Sequence, residues 1–120
     1  MTEFALVAPM LIVLVFGVIQ FGIAFNNYMT LTDAARAAAR KGAVSRELGN
    51  SAAQNACETA GYNAGSNLEA PKTKFLVSCS STWSPGSELT VTASFPYAIK
   101  LLDWAVYDGT LSSTMKERVE

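Results

Sequence analysis

The chain contains no histidine and only two cysteines among its 120 residues. Without histidine, neither a Ser-His nor a Cys-His nucleophile pair can form. The usual nitrogen and sulfur donors for a four-ligand zinc site within one chain are also lacking. Neither type of glycine-rich phosphate-binding loop occurs. We therefore expect no enzymatic activity, no bound metal and no cofactor.

Paired carboxylates and an excess of basic charge are the other signals that are weak or missing. Asp103 and Asp108 lie five residues apart in an aromatic stretch, but two solvated loop acids explain them better than a glycosidase pair. Nine basic residues against ten acidic ones give a net charge of −1. A nucleic-acid-binding surface needs a basic excess on one face, so nucleic acid is not expected as the main partner. No small-molecule substrate is indicated.

What the sequence does contain is a long apolar run near its start. From Phe4 to Phe25, here called the apolar segment, no residue is charged. About 20 apolar residues suffice for a helix to cross a bilayer. No basic n-region precedes the run and no small-residue cleavage site follows it, so we expect the helix to be retained. The sequence divides into residues 1–28, a transmembrane or filament-core helix, and residues 29–120, a head.

The helix is expected to continue well beyond the apolar segment. Between Phe25 and Gly42 the sequence is alanine-rich and contains no proline or glycine, which predicts one helix over residues 3 to about 46. In its second half Asp33, Arg36 and Arg40 are spaced to share one face. A second helix is predicted over residues 51–64, with Ser51 as its N-cap. Four residues are expected to lie on one side of this helix: Ala52, Ala56, Cys57 and Ala60.

The rest of the chain shows the two-residue period of strands. Residues 72–81 and 88–95 each alternate apolar and polar side chains, and a Ser-Pro-Gly-Ser turn at 84–87 separates them. The two runs predict an antiparallel hairpin. Residues 110–119 alternate again and predict a third strand. The expected fold class is therefore α+β: a long helix carrying a short helix and a three-stranded antiparallel sheet.

The segment between the second and third strands is predicted to be irregular. Pro96 is expected to end the second strand, and residues 98–106 are expected to form a short helix or a packed loop. Asp108-Gly109 reads as a turn, and the Pro71 region as a loop. Three aromatic residues are interpreted as core or interface anchors rather than as a ligand cage: Trp83, Trp104 and Tyr107.

Cys57 and Cys79 both follow the apolar segment. They could be two buried free thiols or one disulfide. The disulfide is favoured, because a head on the outer side of a membrane lies where disulfides persist.

Two stretches give the sequence a family resemblance. EFALVAPMLIVLVFGVIQFGIAF, from Glu3, and YMTLTDAARAAARKGA, from Tyr28, resemble the TadE-like proteins, pilin-like subunits of tight-adherence (type IVb) pili. The leading Glu-Phe-Ala-Leu-Val, the nearby Pro9 and the Ala-Ala-Arg segment carry this resemblance. The closing TLSSTMKERVE is similar to the final strand of the family.

The resemblance implies a leader that a prepilin peptidase removes, extraction from the membrane, and stacking of helices into a filament. Only Met1 and Thr2 precede Glu3 here, whereas family members usually carry a few more residues after the cleavage point. The implied partners are copies of the same chain, other pilins, the pilus assembly machinery and, before assembly, the membrane. The implied locations are the inner membrane first and an extracellular filament afterwards.

Five residues are the candidates for assembly. We expect Glu3 to pair with an N-terminal amine of its own or an adjacent subunit; the alternative is that it only favours the helix dipole from the headgroup region. Phe4 opens the apolar surface. Pro9 predicts a local kink, and Gly17 and Gly22, five residues apart, predict close helix approach without a GxxxG motif.

Two functions follow. In the first, the protein is a structural pilin that polymerises into a Tad pilus for adhesion, surface attachment or DNA uptake. In the second, it is a bitopic membrane-anchored assembly subunit or minor pilin that recruits partners through its head without forming the filament shaft.

Overall fold

The computed structural model describes the backbone of residues 1–66, 68, 75–101 and 104–120, and the side chains of residues 1–66, 68, 75–97 and 109–120. Helix α1 spans Thr2–Val44 and, after a 3₁₀ turn at Arg46–Leu48, helix α2 spans Asn50–Ala64. The predicted α+β class is confirmed. The predicted sheet is present as three strands: β1 (Leu76–Ser80), β2 (Glu88–Leu101) and β3 (Trp104–Arg118).

Helix α1 determines the shape of the molecule. At about 1.5 Å per residue it is about 65 Å long, and the molecule measures 72 Å along its longest axis. The helix continues without interruption through Pro9. The prediction of one helix from residue 3 to about 46 is thus confirmed to within two residues.

Small side chains on the second half of α1 let the other elements approach it closely. Ala34, Ala35 and Ala38 are fully buried, and α1 contacts α2 and the strands of the sheet. On α2 the buried residues are Ala53, Cys57 and Gly61. The four residues predicted to share one side of α2 differ in burial: Cys57 is buried, Ala56 and Ala60 are half-buried, and Ala52 is exposed.

The start of α2 also differs from the prediction. Gly49 is the N-cap, and Ser51 lies inside the first turn without capping it. Gly49 has a φ of 90°, a conformation that glycine adopts at little steric cost. The change of direction between the two helices therefore depends on this glycine.

The sheet is an antiparallel meander in the order β1-β2-β3. Its predicted alternation is confirmed: Val77 and Cys79 in β1, and Val91 and Phe95 in β2, are buried against the helices. The turn before β2 is confirmed too, with Ser87 N–H donating to the Ser84 carbonyl at 2.9 Å. Trp83 is buried beside this turn, as expected of a core anchor.

The β2–β3 hairpin is much longer than the sequence predicts. Pro96 does not end β2, because β2 pairs with β3 from Glu88↔Arg118 to Leu101↔Trp104. The expected helix or loop at 98–106 is strand wherever the structure describes it, and Asp108-Gly109 lies within β3 rather than in a turn. Pro96 is tolerated because the pairing of β1 with β2 reaches only Ser94, which leaves Pro96 where β2 has a partner strand on one side.

Several predictions fall on residues outside this description. The Pro71 loop and Asp103 are among the residues that the structure does not describe, and so are the first residues of the predicted 72–81 strand. The same holds for the side chains of Trp104, Tyr107 and Asp108, whose backbone alone is described.

A disulfide joins the two layers of the head. Cys57 of α2 and Cys79 of β1 are bonded, with Cα atoms 6.4 Å apart and a sequence separation of 22. Both cysteines are buried. The favoured alternative for the two cysteines is confirmed.

Gly61→Ala is expected to lower the free energy of unfolding of the head by about 1–3 kcal/mol. An added Cβ would lie 2.7 Å from Cγ1 of Val77 and 3.1 Å from Cβ of Ala38. The gain in helix propensity, at most about 1 kcal/mol, does not offset overpacking of that size. Urea unfolding of the detergent-solubilised chain measures the loss. Gly17→Ala is the matched control, because a Cβ at Gly17 meets nothing within 4 Å; equal stability of the two variants would contradict the prediction.

Candidate assembly surface

The apolar segment is exposed along its whole length. Phe4, Val18 and Phe21 have 77%, 65% and 72% of their surface accessible. An 18-residue window of α1 has a mean hydropathy of 2.5, and none of it is buried. By length and composition α1 can cross a membrane. A continuous apolar surface of this size is not stable in water, so lipid or protein must cover it.

The surface changes character where the head begins. Asn27 and Leu31 are the first buried residues of α1. The exposed face that follows is charged, and Arg36 lies 4.0 Å from Asp33 on it, as their spacing predicts. Both side chains are about two-thirds exposed, so this pair adds little to stability.

The glycines of the helices separate into two groups. A Cβ added at Gly42, Gly61 or Gly65 would come within 2.5–2.7 Å of a neighbouring side chain, so the packing of the head requires glycine there. A Cβ added at Gly17 or Gly22 would meet nothing within 4 Å. No contact within the described part of this chain therefore requires glycine at those two positions.

Glu3 lies in the first turn of α1 and is exposed. There its carboxylate is favoured by the positive end of the helix dipole. Among the residues that the structure describes, Glu3 makes no salt bridge. Pairing with an N-terminal amine, of its own or an adjacent subunit, therefore remains a prediction. Phe4, Pro9, Gly17 and Gly22 are likewise placed on the exposed half of α1 without an assembly contact to test them.

The sequence did not predict one contact between the apolar segment and the head. The Tyr97 hydroxyl, on β2, donates to the Gln20 carbonyl at 3.3 Å and lies 3.4 Å from its side-chain oxygen Oε1. The head therefore reaches into the apolar segment instead of stopping at its end. The sequence signal that could have indicated this contact is Gln20, the single polar side chain between Phe4 and Phe25.

The outer face of the sheet carries mostly hydroxyl side chains; its charged residues, Glu88, Lys116 and Arg118, lie at the end next to the turn before β2. Its exposed or half-buried positions run across the three strands in register, for example Ser78, Thr92 and Thr114. Hydroxyl side chains fill most of these positions: Ser78, Ser80, Thr90, Thr92, Ser94, Thr110, Ser112 and Thr114. The sequence predicts the outward direction of Thr90, Thr92 and Ser94, but not the alignment of the three rows.

In the described residues, no group of three or more histidine, cysteine, aspartate or glutamate side chains could hold a metal ion. What the geometry offers is a binding surface. The molecule is a long helix with an exposed apolar first half, and its second half carries a small α+β head. Residues 1–40 match the family model of the TadE-like proteins, which confirms the predicted resemblance.

The match covers α1 as far as Arg40, which is one third of the chain, so the similarity to the TadE-like proteins is that of the N-terminal helix. The similarity of TLSSTMKERVE to the final strand of the family lies outside the matched residues and stays a prediction. No curated protein and no solved structure matches the chain with significance.

Proposed function

We propose that this protein is a structural pilin-like subunit that leaves the membrane and polymerises through its N-terminal helix into a type IV-like Tad pilus. The observation that carries the proposal is that no residue of the apolar segment is buried, and nearly all are exposed, on a helix whose second half packs in the head. A membrane covers such a surface before assembly, and neighbouring helices cover it afterwards. The proposal keeps the division into residues 1–28, the filament-core helix segment, and residues 29–120, the head.

A helical filament follows from repeating one contact between unlike surfaces without closure. The apolar segment supplies such surfaces, because different faces of its helix can pack against the apolar segments of neighbouring subunits. Gly17 and Gly22 support this, because no contact described within this chain requires glycine there and small residues let helices approach closely.

In such a filament the helices form the shaft and the heads form its outside. The inner face of the sheet packs on α1, so the hydroxyl-bearing outer face points away from the shaft. This face is the surface that the filament would present for adhesion or attachment.

Shearing of intact cells tests the proposal. The protein is expected in the high-molecular-weight fraction of the supernatant, where sheared filaments collect. If the protein is found only in detergent-extracted membranes, the alternative function, a bitopic anchored subunit, is correct instead. If the protein is recovered in sheared filaments, a reconstruction of those filaments would locate the apolar segment directly.

Glu3→Gln is expected to reduce the number of filaments while leaving the stability of the head unchanged. The substitution keeps the size of the side chain but removes the charge that would pair with the amine of a neighbouring subunit. Glu3 lies more than 20 residues before the first buried residue of α1, Asn27, so the substitution does not alter the packing of the core. Filaments are counted by electron microscopy.

Glu47→Gln is the control, since Glu47 is also exposed and also makes no salt bridge within the described residues. Its filament count should be normal. A normal count for Glu3→Gln as well would show that the carboxylate contributes only the dipole interaction, worth about 0.3–1 kcal/mol.

A further inference from the structure

A basic groove lies between α1 and β3, on the side of β3 that no described strand covers. Its volume is about 710 Å³. Side chains of both elements line it: Arg36, Ala37, Arg40, Lys41, Met115 and Glu117. Three basic groups against one acidic group give the groove a positive charge. Arg40 and Lys41 are exposed and make no salt bridge within the described residues, so their charge is available to a partner.

The groove lies too far from the apolar segment to bind lipid headgroups. Arg36, the first of its basic residues, follows Phe25 by about 16 Å of helix. The headgroup layer on each side of the hydrocarbon is only about 5–8 Å thick. Even with the apolar segment inserted as far as Phe25, the groove remains in water. Its positive charge therefore matches an acidic protein surface.

The opposite flank of the head carries a surface of the complementary kind. In the sheet order β1-β2-β3, α1 packs mainly on β2 and β3, whereas α2 packs on β1. Glu58 and Tyr62, here called the α2 pair, are one turn apart on the β1 side of α2, where the Tyr62 hydroxyl accepts from the Val77 N–H at 3.4 Å. Tyr62 is 38% exposed. The Glu58 carboxylate accepts an exposed hydrogen bond from Gln54 and makes no salt bridge within the described residues.

The groove and the α2 pair lie at the same height along α1. A Cβ added at Gly42 would lie 3.0 Å from Sγ of Cys57, and one added at Gly61 would lie 3.1 Å from Cβ of Ala38. Helix α2 therefore runs antiparallel to α1, and each member of the α2 pair directly follows one of these two α2 residues. The pair thus spans the same stretch of α1, residues 37–41, that forms one wall of the groove.

We propose that the groove of one subunit receives the α2 pair of the neighbouring subunit in the filament. Glu58 faces Arg40 and Lys41, where opposite charges favour association and fix its geometry. Tyr62 lies one turn lower and faces Met115, whose thioether packs favourably on aromatic rings. The inference rests on the proposed function, since helices that point the same way in a shaft bring opposite flanks of adjacent heads together.

This contact agrees with the packing of the apolar segments. Because the two surfaces share one height, a neighbour displaced only slightly along the axis brings them together, and the apolar segments stay side by side over most of their length. Every added subunit leaves one groove and one α2 pair unoccupied, as an unclosed polymer requires. Val44 also lines the groove, and the positive charge added by Val44→Lys is compatible with an acidic occupant.

Charge reversal in the full chain tests the contact. Arg40→Glu and Glu58→Arg are each expected to lower the yield of sheared filaments at least about tenfold, because each places like charges opposite one another. Combining the two substitutions is expected to restore most of the yield. Arg46→Glu is the control, since Arg46 is exposed, makes no salt bridge within the described residues and does not line the groove. Urea unfolding checks that the head of every variant is as stable as that of the unsubstituted protein.

The outcomes separate this inference from the proposed function. Normal filaments from both single variants would overturn the inference alone, and so would a double variant whose yield stays low. A loss for Arg40→Glu with normal filaments from Glu58→Arg would also overturn it, because the groove would then bind an acidic partner other than a second copy. If the unsubstituted protein forms no sheared filaments, the proposed function itself is refuted.

Chemical cross-linking tests the same contact without reversing a charge. A carbodiimide joins a lysine amine to a carboxylate that it contacts, so sheared filaments are expected to yield peptides that link Lys41 to Glu58. The detergent-solubilised monomer should not yield them, because the two residues lie on opposite flanks. Lys41→Arg keeps the charge and should form filaments that lack the link. Absence of the link from filaments of the unsubstituted protein would overturn the inference.

Discussion

Replacing both cysteines, Cys57→Ser with Cys79→Ser, is expected to lower the free energy of unfolding of the head by about 3 kcal/mol. The disulfide closes a loop across a sequence separation of 22 residues, and the chain-entropy model gives that magnitude for a loop of this size. Typical domains have a net stability of only about 5–15 kcal/mol, so the loss would leave a head of this size marginal. Urea unfolding of the detergent-solubilised chain measures it.

The disulfide is expected to matter this much because of what it joins. It connects the middle of α2 to β1, and β1 is a five-residue edge strand that pairs only with β2. Reduction of the unsubstituted protein should reproduce the loss, and the same reductant should not affect the double variant. Equal unfolding midpoints for the reduced and oxidised proteins would contradict the prediction.

The sequence predicts the fold best where a periodic pattern and its packing agree. The alternation of Val77 and Cys79, and of Leu89 through Phe95, can be read from single strands, because one face of an antiparallel sheet is buried and the other is solvated. The length of α1 follows from its composition in the same way. For these elements local preference and tertiary structure favour the same conformation.

Prediction fails where local turn signals compete with strand pairing. Pro96 and Asp108-Gly109 both favour a break, yet β2 and β3 pair past both of them. Strand preference depends on context, and cross-strand partners override it. The N-cap at Gly49 instead of Ser51 has a similar origin, since the packing of α2 on α1 decides where the second helix begins.

The residues of the candidate assembly surface were likewise predictable from the sequence only in part. The exposure of Glu3, Phe4, Pro9, Gly17 and Gly22 agrees with a surface that other molecules cover, but their proposed contacts lie between chains and no single chain contains them. The Tyr97–Gln20 contact joins residues 77 apart in sequence. A periodic pattern of apolar residues within one element cannot reveal such a pair. The sequence shows only that Gln20 is a polar residue within the apolar segment.

Val18→Lys is expected to abolish filaments, whereas Val44→Lys should leave them nearly unchanged. The two positions form a matched pair on one helix, since Val18 is 65% and Val44 60% exposed. Within the isolated chain the two substitutions are therefore equivalent, and neither should alter urea unfolding of the head. Only the surroundings that other molecules provide distinguish them.

Those surroundings determine the size of the effect. A lysine near the centre of a transmembrane helix costs about 2.5–3.5 kcal/mol, which is roughly a hundredfold shift in the membrane-inserted population. In a filament shaft the same ammonium group would be buried without a partner, at a comparable or larger cost. Val44 lies beyond the apolar segment at the C-terminal end of α1, where a positive charge is favoured by the helix dipole.

Counting sheared filaments and assaying the membrane fraction of both variants separates the two stages. Val18→Lys protein that remains in the membrane but forms no filaments places its defect in the shaft, whereas protein missing from the membrane places the defect before assembly. Normal filaments from Val18→Lys would mean that this part of the helix is not buried between subunits. In that case the apolar segment serves only as a membrane anchor, and the protein functions as the bitopic anchored subunit.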